Sequence, residues 1–373
     1  MEGMDMNSFH RAFKGSRVLV TGHTGFKGSW LTSWLLELGA EVVGISQDIP
    51  TSPSMFEELG LEKRIDHRIA DLREFEEVKR IITTFAPHYV FHLAAQAIVS
   101  KSYQNPVDTI TSNVIGTTNV LEALRLWNEA CSVVIVTSDK CYENVEWIWG
   151  YKETDHIGGK DIYSASKGAA EVVFHGYFES FFNRPESRIK IASARAGNVI
   201  GGGDWAKDRL VVDCVTSWSE NKIVEIRSPT ATRPWQHVLE PLSGYLTLAC
   251  NLKTNPLVNG ESYNFGPKMQ MDKTVLDVMK ELSKAMGINE QDKAFRVTNN
   301  LPFKEAGLLR LNCDKALHHL RWEATLDHTQ CIAYVGNWYK AFYDQDQNMY
   351  NFTKSQLLNY SQAAIKQNLI WTQ

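Results

Sequence analysis

Four short, mostly apolar runs mark the first half of the chain: Val18–Val20, Val42–Ile45, Tyr89–Leu93 and Val133–Val136. A strand wetted on one face alternates apolar with polar positions. These runs do not alternate, which predicts strands buried on both faces of a parallel sheet. Stretches of helical length lie between them, at Gly28–Leu38, Phe75–Phe85 and Asn113–Trp127. A fourth, Ser164–Phe182, precedes a further apolar run at Ile189–Ala192. Strands and helices in alternation, joined by right-handed crossovers, predict an α/β protein with a doubly wound parallel sheet.

Beyond about residue 195 the texture changes. Glycines and charges crowd Gly201–Arg209, Val224–Ile226 reads as a strand, and Leu276–Met286 reads as an amphipathic helix. Aromatics gather between Gln330 and Phe342, a pattern of helix packing. This predicts a smaller α/β unit laid over the carboxyl ends of the strands, where open sheets bind ligands. The boundaries read as 15–195, with about 235–255, for the sheet domain, and as 196–234 with 256–373 for the second.

Composition narrows the partners. Hydrophobic content of 43% and charged content of 22% suit a globular protein. A net charge of −4 and a pI near 6.3 argue against nucleic acid or an anionic membrane as partner. No apolar run approaches the roughly 18 residues of a membrane span, and Met1–Met6 is polar and acidic, unlike a signal peptide. A cytoplasmic location is expected. The six cysteines, at 131, 141, 214, 250, 313 and 331, form no C-x-x-C pair and read as free thiols. His318 and His319 are adjacent, so on a helix they point about 100° apart, and no metal is expected.

The chemistry starts at Gly22. Gly22, Gly25 and Gly28 recur every third residue between the first strand and the first helix, with Thr24, Phe26 and Lys27 in the same turn. Glycines let the backbone turn sharply and approach a ligand, and the helix start supplies free N–H groups. Together they predict a diphosphate site. Tyr163 and Lys167, four residues apart, share a helix face, where the cation would lower the phenol's pKa for proton exchange with a sugar or alcohol oxygen. With 13 tyrosines and 23 lysines, roughly one such pair arises by chance, and Tyr350–Lys354 is a second. Context separates the two. Tyr163 follows a strand that ends in Thr137-Ser138, whose hydroxyl is expected on the same oxygen. His92-Leu93-Ala94-Ala95-Gln96 offers small residues at another strand end, and Asn113 is read as opening the next helix.

These features resemble the extended short-chain dehydrogenase/reductases over nearly the whole chain. The resemblance rests on Gly22/Gly25/Gly28, Asp71-Leu72, His92-Leu-Ala-Ala, Asn113, Tyr163/Lys167, Arg195-Ala-Gly-Asn198, Arg233-Pro-Trp-Gln-His-Val and Tyr263-Asn-Phe-Gly266. It implies a Rossmann-type sheet and a nucleotide-sugar substrate. It implies that Gly22, Thr24, Gly25, Phe26, Lys27, Gly28, Leu93, Ala94, Ala95 and Asn113 line the cofactor, with Asp71 and Leu72 beside adenine. Tyr163 and Lys167 would hold the nicotinamide ribose and do acid–base work. Gln96, Asn198, Trp205, Arg209, Arg233, Asn264 and Arg310 would approach the substrate, where arginines suit a diphosphate. The second strand ends in Gly44-Ile-Ser46-Gln-Asp48, with Ser46 where an acid commonly holds ribose hydroxyls and no arginine for a 2′-phosphate. NAD is the expected cofactor.

Thr137-Ser138-Asp139-Lys140 narrows the group. The 4,6-dehydratases of this family carry an acid after the hydroxyl, which Asp139 matches. Most then carry glutamate, where Lys140 stands. That departure, with His23–Trp30 and Gly201–Leu210, resembles the members acting on CDP-glucose, which becomes the expected substrate. The reaction implied is oxidation at sugar carbon 4, loss of water across carbons 5 and 6, and hydride return to carbon 6. Asp139, if burial raises its pKa, would protonate the departing hydroxyl. Lys140 would take the carbon 5 proton or, if charged, stabilise the enolate. Two alternatives stay open: a dTDP- or GDP-sugar dehydratase, and an epimerase using the same Ser138, Tyr163 and Lys167. Related enzymes are homodimers, and the helices at 113–126 and 164–182 are expected to pair in a homodimer or higher homo-oligomer.

Overall fold

The computed structural model describes residues 8–226, 229–268, 273–298, 309–345 and 347–373. Met1–Met6 lies outside them. Seven parallel strands form the main sheet: β1 (Arg17–Thr21), β2 (Glu41–Ser46), β3 (Asp66–Ile69), β4 (Tyr89–His92), β5 (Cys131–Val136), β6 (Ile189–Ala196) and β7 (Ser262–Phe265). Their spatial order is β7-β6-β5-β4-β1-β2-β3. The order reverses between β1 and β4, which opens a crevice at the carboxyl ends of those strands.

Each central strand feeds two cores. Val18 and Val20 of β1 and Val134 and Val136 of β5 face one side, with Trp30, Leu31, Trp34 and Leu35 of α1 (Phe26–Glu37). Leu19, Val133 and Ile135 face the other. There they meet α2 (Phe75–Phe85), α3 (Gly116–Trp127) and α4 (Ile162–Tyr177). Burial on both faces removes the alternation from these strands, so the apolar runs place them correctly.

Several expectations are corrected. Helix α1 starts at Phe26, two residues before the expected Gly28, because Gly25 is already its N-cap. Asn113 opens no helix; it sits in a π-helical turn, Thr111–Ile115, that runs into α3. Strand β3 was not anticipated, since its residues Asp-His-Arg-Ile stand at the sheet edge and are half-exposed. Ser262–Phe265, expected in the second unit, forms the opposite edge of the main sheet.

Outside the main sheet, short strands pair at 199–200 with 236–237, 224–226 with 295–297 and 232–233 with 273–274. Around them lie α5 (Leu210–Ser219), α6 (Leu239–Thr254), α7 (Val275–Ala285), α8 (His328–Asp344) and α9 (Met349–Lys366). Helix α6 packs under β5 and β6, and α9 returns to α1. There the second Tyr–Lys pair has a structural role: the Tyr350 hydroxyl and the Lys354 ammonium both meet the Glu37 carboxylate. All six cysteines are free thiols, and among the described residues no helix is long and apolar enough to cross a membrane.

Candidate active site

The glycine turn is built for close approach. Gly22 has φ of +75°, and a Cβ there would lie 2.7 Å from the Ala94 nitrogen. A Cβ on Gly28 would lie 2.1 Å from the Gly22 carbonyl oxygen, so α1 starts directly on the turn. No side chain caps α1 at Gly25, which leaves its first N–H groups for an anion in the crevice. The Thr24 hydroxyl donates to the Asp48 carbonyl and ties the turn to the end of β2. Phe26 packs against Gly201.

Lys27 connects this turn to the rest of the site. Burial, with the Arg209 and Lys167 charges, pushes its ammonium down to about 8, against the pull of Asp139 and Asp204. From the glycine turn, one lysine thus senses groups at the end of β5, on α4 and in the segment before α5.

At the end of β5, the Ser138 hydroxyl donates to Asp139 Oδ1 at 2.8 Å and accepts the Lys140 N–H at 3.2 Å. Asp139 is buried, while Lys140 is half-buried. A Cβ on Gly197 would fall 1.9 Å from Asp139 Oδ2, so the carboxyl group rests against bare backbone at the end of β6. Tyr163 enters from α4, whose N-cap, Asp161, accepts the Ser164 N–H. Burial pushes the Tyr163 phenol up to about 12, and its bond to Ser138 offsets part of this. The expected lowering is therefore corrected: burial raises the phenol, and the one cation acting on it is Arg209, not Lys167. Burial pushes Lys167 itself down to about 8, with Cys141 and Glu171 opposing.

Beneath these groups lies a buried ion pair that sequence reasoning missed. Glu171, one turn after Lys167, meets Arg195 at 2.8 Å and also accepts from Thr137, Ser193 and Ser262. It joins α4 to the ends of β5, β6 and β7. A glutamate four residues after Lys167, on the same face of the helix, was its only sequence signal. His23 was missed too: its ring meets His67 at 2.7 Å and the Ser46 hydroxyl at 3.0 Å. Burial pushes His23 down to about 4. Ser46 is thus engaged at the position where an acid was sought.

The remaining expected residues divide. Ala94 accepts no side chain but donates its N–H to Thr21, and Leu93 and Ala95 continue the same half-buried strand end. Leu72 is buried, and the Asp71 carboxylate is bound by Arg73, which also reaches Asp108. Asn113 bonds the Gln96 main chain and Ser166, fastening the β4 end to α4. The Gln96 side chain is used internally, by Thr109 and Ile98. Arg209 starts α5 and pairs with Asp204, while half-buried Asn198 takes a left-handed φ of +51° at the end of β6. Arg233 stands on the short 232–233 strand. Arg310 borders a cavity of about 270 Å³ with Trp149, Pro234, Pro267 and Lys268.

Two substrate expectations are corrected. Asn264 is fully buried; its amide binds Tyr142, Tyr151 and Asn312, leaving nothing for a diphosphate. Trp205 lies in an aromatic cluster with Trp338, Tyr339 and Phe342 of α8, away from solvent.

A family model described as GDP-mannose 4,6 dehydratase matches residues 19–335. The chain belongs to this family. Over 357 residues it is 43% identical to CDP-glucose 4,6-dehydratase of Salmonella typhimurium, covering 95% of the chain and 98% of that relative. It is 26% identical over 329 residues to CDP-paratose 2-epimerase of Salmonella typhi, covering 78% of the chain and 88% of the relative. Among solved structures, UDP-glucose 4-epimerase of Thermotoga maritima superposes with a TM-score of 0.74 at 20% identity, covering 89% of this chain and all of that one. A dTDP-glucose 4,6-dehydratase of Streptomyces venezuelae gives 0.73 at 18% identity, covering 87% and 97%. The structural likenesses show the fold.

Proposed function

We propose that the chain is a CDP-glucose 4,6-dehydratase, converting CDP-D-glucose to CDP-4-dehydro-6-deoxy-D-glucose with NAD as a recycled cofactor. The observation that carries this reading is the 43% identity to the Salmonella typhimurium enzyme over 95% of the chain. Asp139 beside Ser138 supports dehydration over epimerisation, which needs only the serine, tyrosine and lysine. The uncapped helix start at Gly25 and the tight Gly22–Gly28 contact fit a dinucleotide diphosphate. Gly22, Thr24, Gly25, Phe26, Lys27, Gly28, Asp71, Leu72, Leu93, Ala94, Ala95, Asn113, Tyr163 and Lys167 would hold NAD. Arg209, Arg233 and Arg310 would meet the CDP diphosphate.

When bound there, NAD would supply a hydride acceptor for sugar carbon 4 and a hydride donor for carbon 6. Tyr163, beside the Ser138 hydroxyl, takes the proton of the carbon 4 hydroxyl as that carbon becomes a ketone. The ketone makes the neighbouring carbon 5 proton acidic. Lys140 removes it while the Asp139 carboxyl group protonates the carbon 6 hydroxyl, which leaves as water. Lys140 then returns a proton to carbon 5, and the proton held by Tyr163 replaces the one Asp139 gave up. One water is lost and there is no net oxidation.

The same reading makes the enzyme cytoplasmic, where nucleotide-sugars are made, and its product a precursor of deoxyhexoses. A homodimer is supported by the exposed apolar side chains of Ile115, Leu126, Val172 and Phe181 on or beside α3 and α4. Mass spectrometry of the protein with CDP-, dTDP-, UDP- and GDP-glucose and trace NAD tests the proposal. Loss of 18 Da (one water) from the CDP sugar alone is expected. Loss from another nucleotide would reject CDP, and an isomer of unchanged mass would make the enzyme an epimerase.

A further inference from the structure

The end of β2, where dinucleotide folds commonly place an acid, is closed here by a serine and two histidines. Ser46 is the last residue of that strand. Its hydroxyl oxygen bonds His23 Nδ1 at 3.0 Å and accepts the Thr24 N–H at 3.3 Å. His23 Nε2 in turn bonds Nδ1 of His67, on β3, at 2.7 Å. The His23 ring lies over bare backbone: a Cβ on Gly44 would stand 2.3 Å from its Cγ. The Phe56 ring meets both imidazoles, with centroids 5.2 Å from His23 and 4.8 Å from His67. Ser46 and His23 are buried, and His67 is half-buried. Gly22, at the head of the glycine turn, donates its N–H to the Ile45 carbonyl at 2.7 Å, so the turn is fastened beside the serine.

A hydroxyl has one hydrogen to give and two lone pairs. Thr24 takes one lone pair of Ser46, and His23 takes either the other or the hydrogen. Whichever His23 nitrogen carries its proton, one place on the Ser46 oxygen is left for a ligand. In dinucleotide folds the ribose joined to the diphosphate meets the side chain at this strand end. We propose that Ser46 binds the 2′-hydroxyl of the adenosine ribose of NAD, and that His23, braced by His67, is a positioning residue for it. A serine held by an imidazole thereby takes the place of the acid. Without that bond the hydroxyl is free to rotate about χ1 into other staggered positions, away from the ligand. The inference rests on the reading of Gly22–Gly28 as a dinucleotide site and does not depend on the sugar substrate.

Calorimetric titration of the full-length protein, freed of nucleotide, tests this without turnover. The ligands are NAD and its analogue with 2′-deoxyadenosine. The wild type should bind NAD about tenfold more tightly than the analogue, the effect of one hydrogen bond. Ser46→Ala should weaken NAD about tenfold and leave the analogue unchanged, so that the two bind alike. Unchanged binding of the analogue also shows that the variant is folded. His23→Phe keeps a ring over Gly44 and removes both nitrogens, and its preference for NAD should fall below that of the wild type. That variant decides the question if Ser46→Ala binds neither ligand. The wild-type preference retained in Ser46→Ala, or no preference in the wild type, overturns the proposal. The full preference retained in His23→Phe overturns the positioning role. A wild type that binds neither ligand rejects the dinucleotide site itself, and the proposal with it.

Discussion

One methyl group added at Gly197 should separate the two halves of the reaction. The new Cβ would stand 1.9 Å from Asp139 Oδ2 and 2.0 Å from its Cγ, where ordinary contact begins at 3.4 Å. The carboxyl group must therefore retreat by about 1.5 Å, the difference between those distances. Gly197 does not occupy the left-handed region, so alanine is conformationally admissible and the effect is one of space. A misplacement of about 1 Å costs a reacting group about a hundredfold in rate, or about 2.7 kcal/mol. Gly197→Ala should lose at least that much in water loss, with a stability cost of about 1–3 kcal/mol from overpacking. The three atoms nearest the new methyl group all belong to Asp139, while Tyr163 and Lys167 stand on α4, so carbon 4 oxidation should persist. Single-turnover absorbance of reduced nicotinamide, followed by mass spectrometry of the sugar product, measures both steps. Dehydration at the wild-type rate would refute the placement of Asp139 as the acid.

Three further outcomes follow from the site and its supports. Lys140→Met should abolish water loss while Lys140→Glu retains it; unchanged elimination in the methionine variant, measured by mass spectrometry, would remove Lys140 from the base role. Burial pushes the Glu240 carboxyl from the ordinary 4.5 to about 7, despite bonds from Leu326, Thr325 and Tyr360. The fold holds that proton after the unfolded chain has lost it, so this stability is present below pH 4.5 and lost as pH rises to about 7. The total is about 3 kcal/mol. Glu240→Gln cannot ionise and should flatten the urea unfolding free energy between pH 5 and pH 8; a slope like that of the wild type would contradict this. Arg195→Met should cost about 3–5 kcal/mol in urea unfolding, because it strands the buried Glu171 carboxylate. Replacing Glu171 by Gln as well should recover part of that loss.

Much of the fold was legible because burial leaves a local trace. The runs at 18–20, 42–45, 89–93 and 133–136 are apolar on both sides since helices cover both faces of those strands. β3 was not placed in the sheet because its half-exposed residues lack that trace, and β7 because Ser-Tyr-Asn-Phe alternates polar with aromatic although all four are buried. β3 reads as a polar loop, and β7 lies 66 residues beyond the end of β6, across the whole α5 and α6 region. The Tyr163–Lys167 spacing and the Ser138-Asp139-Lys140 triplet were legible as chemistry. The direction of the Tyr163 shift was not, because helical spacing shows that a cation is near but not how dry the pocket is.

The chain by itself determined its elements, its glycine turn and the identity of its reactive groups, all of which depend on residues within a few positions of one another. Only the tertiary structure decided which of those groups share a site. It brought Asp139, Lys167 and Arg209 within reach of the Lys27 ammonium. It withdrew Asn264 into a saturated hydrogen-bond network and Trp205 into an aromatic core. Desolvation and charge act through space, and a sequence records spacing along the chain alone.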